Sequence, residues 1–407
     1  MARKEKIAVS AHRYLEFVQE EERTFMNGRV LFLLAAFAFS GAHAGGIETL
    51  EPMKGAMVAI LTDAQKAFFD MPSERRRELF TNEVFRTEYM GYPAEHVCGE
   101  RRPRRPCYPK AVRFAWKAVD GVAEYLVTVK DARSGKVVAE ETVSGNSFIG
   151  TAVYIDNFEA GAEYAWTVSG GGKTGSGKFS TEDKVPRIVR FPDMGNIRDL
   201  GGWVGLGGRR VKQGMIFRSA GMNANASPDK APGESWVAGE KGEYIRRRFG
   251  IKTDMDIRSD EECRGMTGSP LGPDVKWVHC PFRMYGGMQD ERGRKAFAEV
   301  FRVFLDEKNY PIDFHCISGS DRTGSLAYIL CGLLGADDNL LALDWELSGF
   351  WARSVGFCHE KRYDLLVEGF KKNHPAPTAR ERIEKYVLSL GFTQADIEKF
   401  RGIMLER

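Results

Sequence analysis

Net charge is almost missing from this chain: 59 basic residues stand against 56 acidic ones, leaving +3 over 407 residues. No global field therefore favours nucleic acid or an anionic membrane, and any preference for anions has to be local. Cysteine is scarce, seven in all, and none falls in a C-x-x-C or Cys/His ligand spacing, so no zinc site is implied. The chain also lacks an apolar run of the roughly 20 residues that a membrane-spanning helix needs. Gly170 to Lys178 (GGGKTGSGK) misses the nucleotide-loop pattern, because Thr167 stands where its first glycine belongs and Phe179 where Ser or Thr must follow the lysine. A hairpin tip is the expectation there.

Near the amino terminus, Met26 is followed by Asn27-Gly28-Arg29, the short apolar run Val30 to Ser40, and Ala42-His43-Ala44. A basic start, an apolar core and an A-x-A end describe a secretory signal peptide, so export with cleavage after Ala44 is expected, and no mature transmembrane segment. The charged stretch Met1 to Arg23 precedes the signal, which makes Met26 an alternative start. Residues 1–44 are thus assigned to the signal region. In an exported protein Cys98 and Cys107 are placed to form a disulfide.

Residues 45–107 read as a helical segment, with Val58, Leu61, Ala64, Phe68 and Phe69 at helix-like intervals, followed by a Pro/Arg linker, Arg101 to Pro106. From Ala111 the period becomes two. Val112, Phe114 and Trp116 alternate, then Tyr125, Val127 and Val129, then Tyr164, Trp166 and Val168, with glycines between them. This is the pattern of a small β-sandwich over residues 108–183. Beyond Pro186, strand-like runs (Met215 to Arg218, Lys252 to Ile257, Val275 to Cys280, Ile312 to Cys316) alternate with helix-like runs (Gly242 to Phe249, Arg294 to Leu305, Thr323 to Leu334). Such alternation predicts an α/β domain with a largely parallel central sheet over 186–407. Ligands in such sheets bind beyond the carboxyl ends of the strands, where Cys316 lies.

His315 to Gly324 read HCISGSDRTG. A phosphate monoester repels nucleophiles, so a site must neutralise its oxygens while presenting a good attacking atom. A thiolate before a helix N-terminus and beside an arginine is such an atom. Cys316 is the candidate nucleophile. The loop Ile317, Ser318, Gly319, Ser320 and Asp321 would turn backbone N–H groups toward the phosphoryl oxygens, and Arg322 would clamp two of them bidentately. Thr323 would donate to the sulfur and ease its departure; His315 would order the loop. The leaving oxygen needs a proton from a carboxylic acid. Asp321 is the first candidate, and Asp290, on the Tyr285 to Gly293 stretch, is the alternative. Arg198, Asp199, Asp256 and Arg258 are expected either to line the pocket or to form buried ion pairs at strand ends.

These residues resemble the protein tyrosine phosphatase superfamily, whose signature is His-Cys, five residues, Arg, then Ser or Thr. More narrowly they are similar to bacterial tyrosine and phosphoinositide phosphatases with the loop HCxxGKDRTG. Asn196 to Gly202, Ile216 to Ser219, Asp256 to Glu261 and Asp344 to Ser348 resemble further segments of that family in the same order, and the likeness spans roughly Val189 to Leu405. It implies a covalent phosphocysteine on Cys316 with Arg322 as phosphate binder, and neither metal nor organic cofactor. Ser320 stands where the family commonly has lysine, which implies a less charged pocket and favours phosphotyrosine over inositol phosphates or phosphoinositides. Phe158-x-x-Gly161-x-x-Tyr164-x-Trp166-x-Val168 resembles the tyrosine-corner segment of fibronectin type III domains. The expectation is an exported phosphomonoesterase. An inositol-phosphate phosphatase is one alternative, and a binding protein whose β-sandwich engages a protein or surface partner is another.

Overall fold

The computed structural model describes residues 46–81, 108–145, 151–227, 229–233, 235–350 and 360–407. Residues 46–407 form one compact unit. The signal region, the Pro/Arg linker and the Cys98/Cys107 pair lie outside the described residues.

The first half is built from two facing sheets. Strands β1 (Thr49–Glu51), β2 (Ala56–Val58), β3 (Val112–Trp116), β4 (Glu124–Asp131), β5 (Val137–Ser144), β6 (Ala152–Ile155), β7 (Glu163–Gly170) and β8 (Lys173–Thr181) sort into the orders β1-β3-β6 and β2-β8-β7-β4-β5. The pairing is antiparallel except for β2 with β8. Period-two alternation sends Phe114, Trp116, Tyr125, Val127, Tyr164, Trp166 and Phe179 into one apolar core, all buried. The Tyr164 hydroxyl accepts the Glu159 backbone N–H at 2.9 Å, fixing the turn before β7.

Two sequence expectations change here. The span 45–107 contributes strands as well as the helices α1 (Asp63–Asp70) and α2 (Ser73–Thr81); strands this short carry no readable alternation. The glycine run is a tip only at Gly171 and Gly172, both at positive φ. From Lys173 it is strand β8, and Gly177 is needed there because a Cβ would stand 2.5 Å from the Trp166 indole nitrogen.

The second half has a five-stranded sheet of order β12-β11-β13-β10-β9, from β9 (Arg198–Asp199), β10 (Ile216–Ser219), β11 (Thr253–Asp256), β12 (Lys276–His279) and β13 (Ile312–His315). All neighbours pair in parallel except β10 with β9. One face is covered by α4 (Glu291–Phe304), α5 (Asp321–Leu333), α8 (Ala379–Ser389) and α9 (Gln394–Met404), with Phe297, Phe301, Leu330, Tyr386 and Phe400 in the shared core. The other face carries α3 (Glu240–Phe249) through Ile245 and Phe249. The α/β reading of the sequence, with its parallel sheet, holds.

The halves are fused. In α6 (Asp338–Glu346) and the turn after it, Leu343 and Leu347 pack in the apolar core of the first half. The wholly buried Arg76 of α2 donates to Glu346 of α6, which also accepts from Ser73 at 2.9 Å. Arg187 donates to the carbonyls of Phe158 and Asn157 and pairs with Asp199 at 2.9 Å.

Candidate active site

Cys316 follows β13 directly and Asp321 opens α5, so the loop 317–320 sits at the carboxyl end of the central strand. Its carbonyls are held outward one after another. His315 Nδ1 lies 3.2 Å from the Cys316 oxygen. The Gly221 N–H donates to Ile317 O at 3.0 Å, Asn196 Nδ2 to Ser318 O at 2.9 Å and Arg218 Nη2 to Gly319 O at 2.5 Å. In a trans peptide the carbonyl and the following N–H point to opposite sides, so anchoring these oxygens turns the amides inward as an anion nest. Gly319 is obligatory: its φ is +66°, and a Cβ would meet the Ser219 carbonyl oxygen at 2.5 Å.

The anchors are themselves locked. Asp344 of α6 bridges two buried guanidiniums, receiving Arg198 Nε at 2.7 Å and Arg218 through its other oxygen. Burial opposes ionisation of Asp344, but the two arginines hold its carboxyl below the ordinary value. Burial, with Arg198 alongside, pulls Arg218 down to about 10. Arg198 also donates to Asn196 at 2.6 Å.

Cys316 is 3% exposed. Burial opposes the thiolate, yet the Arg322 guanidinium, the Thr323 hydroxyl and the N–H groups of Thr323 and Gly319 outweigh it, and the thiol titrates below its usual value. Burial pushes the Cys263 thiol up to about 12 and Cys280 to about 11, and burial likewise raises Cys331. Arg322 is held by Glu262 in a fork, Nη1 to Oε2 at 2.6 Å and Nη2 to Oε1 at 3.1 Å. A planar fork of this kind fixes the guanidinium for bidentate contact with a phosphate.

Asp321 accepts from the Tyr285 hydroxyl and lies 3.1 Å from Arg362 Nη1 on α7 (Glu360–Asn373). Asp290 is engaged elsewhere: it caps α4, accepting the Gly293 N–H at 2.8 Å, and sits 3.4 Å from Arg283 Nε. Ser320 is buried against Asn196, whose Nδ2 is 3.5 Å from its hydroxyl. Of the two readings open for Arg198, Asp199, Asp256 and Arg258, the ion pairs are present. All four are buried in ion pairs, Arg198 with Asp344, Asp199 with Arg187, Asp256 with Arg258. Arg198 reaches the loop through Asn196, whereas Asp199 holds the Gly201 and Gly214 N–H groups.

Sequence reasoning missed Glu262, Tyr285 and Arg362, and gave no role to Asn196, Arg218 and Asp344. For Arg218 and Asp344 the available signal was charge within a buried strand and helix, where an unpaired arginine or aspartate is costly. Among the described residues no group of His, Cys, Asp or Glu is placed to hold a metal ion, and no helix is long and apolar enough to cross a membrane.

Fold and site define an α/β domain with a cysteine–arginine anion loop at the end of its central strand. Residues 189–364 match the tyrosine phosphatase family. A Cupriavidus necator protein assigned by name to the tyrosine-protein phosphatases is 29% identical over 182 residues, 38% of this chain and 60% of its own length. The chain thus spans somewhat over half of that relative. The core catalytic domain of the PP-IP phosphatase SIW14 from S. cerevisiae, solved with citrate, is 16% identical, with 40% of this chain and 90% of that one covered and a TM-score of 0.23.

Proposed function

We propose that this chain is a cysteine-dependent phosphomonoesterase that hydrolyses phosphotyrosine. One observation carries the reading: a thiol whose surroundings favour the thiolate faces a loop with its carbonyls tied back and an arginine fixed in a fork beside it. The Cys316 thiolate attacks phosphorus and the ester oxygen leaves with a proton, giving phosphocysteine; water then attacks phosphorus, releasing phosphate and regenerating the thiolate. The loop amides and Arg322 hold the three non-bridging oxygens through both steps.

Asp321 serves as acid in the first step and base in the second. The Tyr285 hydroxyl and Arg362 both engage its carboxyl, so the leaving oxygen has to displace one of them to reach it. Asp290, occupied as a helix cap, is the weaker candidate. Arg362 beside the loop also supplies a cation that suits more highly phosphorylated substrates, which supports an inositol-phosphate phosphatase as the second reading. The apolar run at Val30 to Ser40 supports export. The sheet pair of the first half, with Tyr164 bonded back to its turn, supports a fibronectin type III-like module that engages a protein or surface partner.

The test is steady-state hydrolysis, under reducing conditions without metal, of phosphotyrosine peptide, phosphoserine peptide, phosphoinositide and inositol hexakisphosphate. Wild type should turn over phosphotyrosine best, and Cys316→Ser should abolish turnover while retaining ester binding. Turnover at wild-type rates by Cys316→Ser would end the proposal. Amino-terminal sequencing of protein from the culture medium or periplasm should begin at Gly45 if export is right.

A further inference from the structure

Beneath the catalytic loop lies a set of buried ionisable groups that the mechanism above does not use. β11 carries Asp254 and Asp256, β13 carries Asp313 and His315, and the parallel register places Asp254 beside Asp313 and Asp256 beside His315. Residues two apart in a strand share a face, so all four side chains point to the same side of the sheet. With Arg258 they are fully buried, each 0% exposed.

Three carboxylates face one permanent cation. Asp256 is paired with Arg258 through Nε at 2.9 Å. Asp254 takes the Ser269 hydroxyl at 2.7 Å and lies 3.0 Å from His315 Nε2. With both nitrogens of His315 against oxygens, Asp254 on one side and Cys316 O on the other, the ring is satisfied as an imidazolium. Two negative and two positive charges then cancel. A charged Asp313 would leave one net negative charge in a dry interior.

The hydrogen atoms give the same result. The Ser219 hydroxyl lies 3.0 Å from Ala220 O and 2.8 Å from Asp313 Oδ2, and Asp313 Oδ1 has no partner. A hydroxyl has one hydrogen, and a backbone carbonyl only accepts. Both contacts are satisfied when Ser219 donates to Ala220 O and Asp313 donates its own hydrogen to Ser219. The Ser219–Ala220 peptide is the wall against which Gly319 packs.

We propose that Asp313 is a positioning residue that keeps a proton under the catalytic loop: protonated, it braces Ser219 and leaves the cluster neutral; ionised, it takes the serine's hydrogen, loosens the wall at Gly319 and makes Cys316 less reactive. The groups facing it are Ser219 of β10, Asp254 and Asp256 of β11, His315 of its own strand, and Arg258; the covering helix α3 presents Ile245 and Phe249 to that side of the sheet. Burial pushes the Asp313 carboxyl up to about 7, with Asp254 adding to the rise and His315 opposing it. The reactivity change therefore falls in the neutral range.

The inference rests on Cys316 being the nucleophile but is tested without turnover. In the full chain, the rate at which iodoacetamide alkylates Cys316 is followed against pH, alongside the infrared carbonyl stretch of protonated carboxylic acids, in wild type, Asp313→Asn and Ser219→Ala. Wild type should show the thiolate titration and then a fall in reactivity near neutral pH, with a carboxylic-acid band that disappears over the same range. Asp313→Asn keeps a donor for Ser219 and cannot ionise, so it should stay folded, lose both the fall and the band, and retain alkylation. Ser219→Ala should retain the band at low pH and lose the pH-dependent fall. A wild-type profile with no neutral-range fall, or a band unchanged in Asp313→Asn, overturns the proposal. Alkylation that behaves as expected in a protein that cleaves no phosphoester would leave this inference standing and remove the function proposed above.

Discussion

Replacing Asp344 by Asn keeps the shape of the side chain and removes one charge from between two guanidiniums. Arg198 and Arg218 are 3% and 0% exposed by side chain, so neither can turn to water. Breaking a buried pair by removing one partner costs about 3–5 kcal/mol, and here two arginines share the loss. At roughly 2–4 °C per kcal/mol for chains of 150–250 residues, and less for a longer one, the midpoint of thermal unfolding should fall by about 5–10 °C. Arg218 also tethers Gly319 O, so kcat/KM should drop by more than the tenfold that about 1.4 kcal/mol represents, even at temperatures where the variant is fully folded. A pH series adds a signature. The Asp344 carboxyl is depressed in the folded state, so its stabilisation is present above the unfolded value near 3.9 and is lost as pH falls through the folded one. Wild type should lose stability more steeply in acid than Asp344→Asn. Differential scanning calorimetry from pH 3 to 7 with parallel kinetics decides the matter, and an Asn variant with unchanged midpoint and kcat/KM would refute the idea that this bridge holds the loop.

Four further outcomes are expected. Glu262→Gln leaves Arg322 without its charged partner; a hydrogen bond to a charged group is worth about 1.5–3 kcal/mol, so kcat/KM should fall by about 10- to 100-fold, largely in KM. Asp321→Ala should cost most on substrates with poor leaving groups, whereas Asp290→Ala should cost about 1 kcal/mol of stability as a lost cap and leave that dependence unchanged; the reverse pattern in a leaving-group series would reassign the acid. At pH 7, iodoacetamide followed by peptide mass analysis should modify Cys316 ahead of Cys263, Cys280 and Cys331, and faster reaction at any of those three contradicts the electrostatics described. His315 is raised to about 9 by Asp256 and Asp254 against the opposing effect of burial, so its contribution to stability is complete below pH 6.5 and is lost as pH rises through 9; His315→Gln should flatten the alkaline side of the stability curve.

Much of the second half was legible in the chain because its elements are long and regularly patterned. The expected strand Lys252 to Ile257 is Thr253–Asp256, and the expected helix Thr323 to Leu334 is Asp321–Leu333. Cys316, Arg322 and Thr323 meet because one strand, one loop and one helix carry them consecutively. What could not be read depends on distance along the chain. Glu262 reaches Arg322 and Asp344 reaches Arg218 only after the sheet is assembled, and no local period announces either. The sequence reading also stopped short at Asp254 and Asp313: a polar residue inside an apolar strand looks like a lapse in the pattern until the register shows it beside a second one. Strands β1 and β2 escaped because three residues fit a helix turn as well as a strand.

Helix α6 answers to two masters. Its Asp344 is tuned to the phosphate loop, while Leu343 and Leu347 on the neighbouring turns are cut to fit the aromatic interior of the first half. A change in the packing around Phe114 or Trp166 is therefore free to reach Asp344 without touching a single polar group.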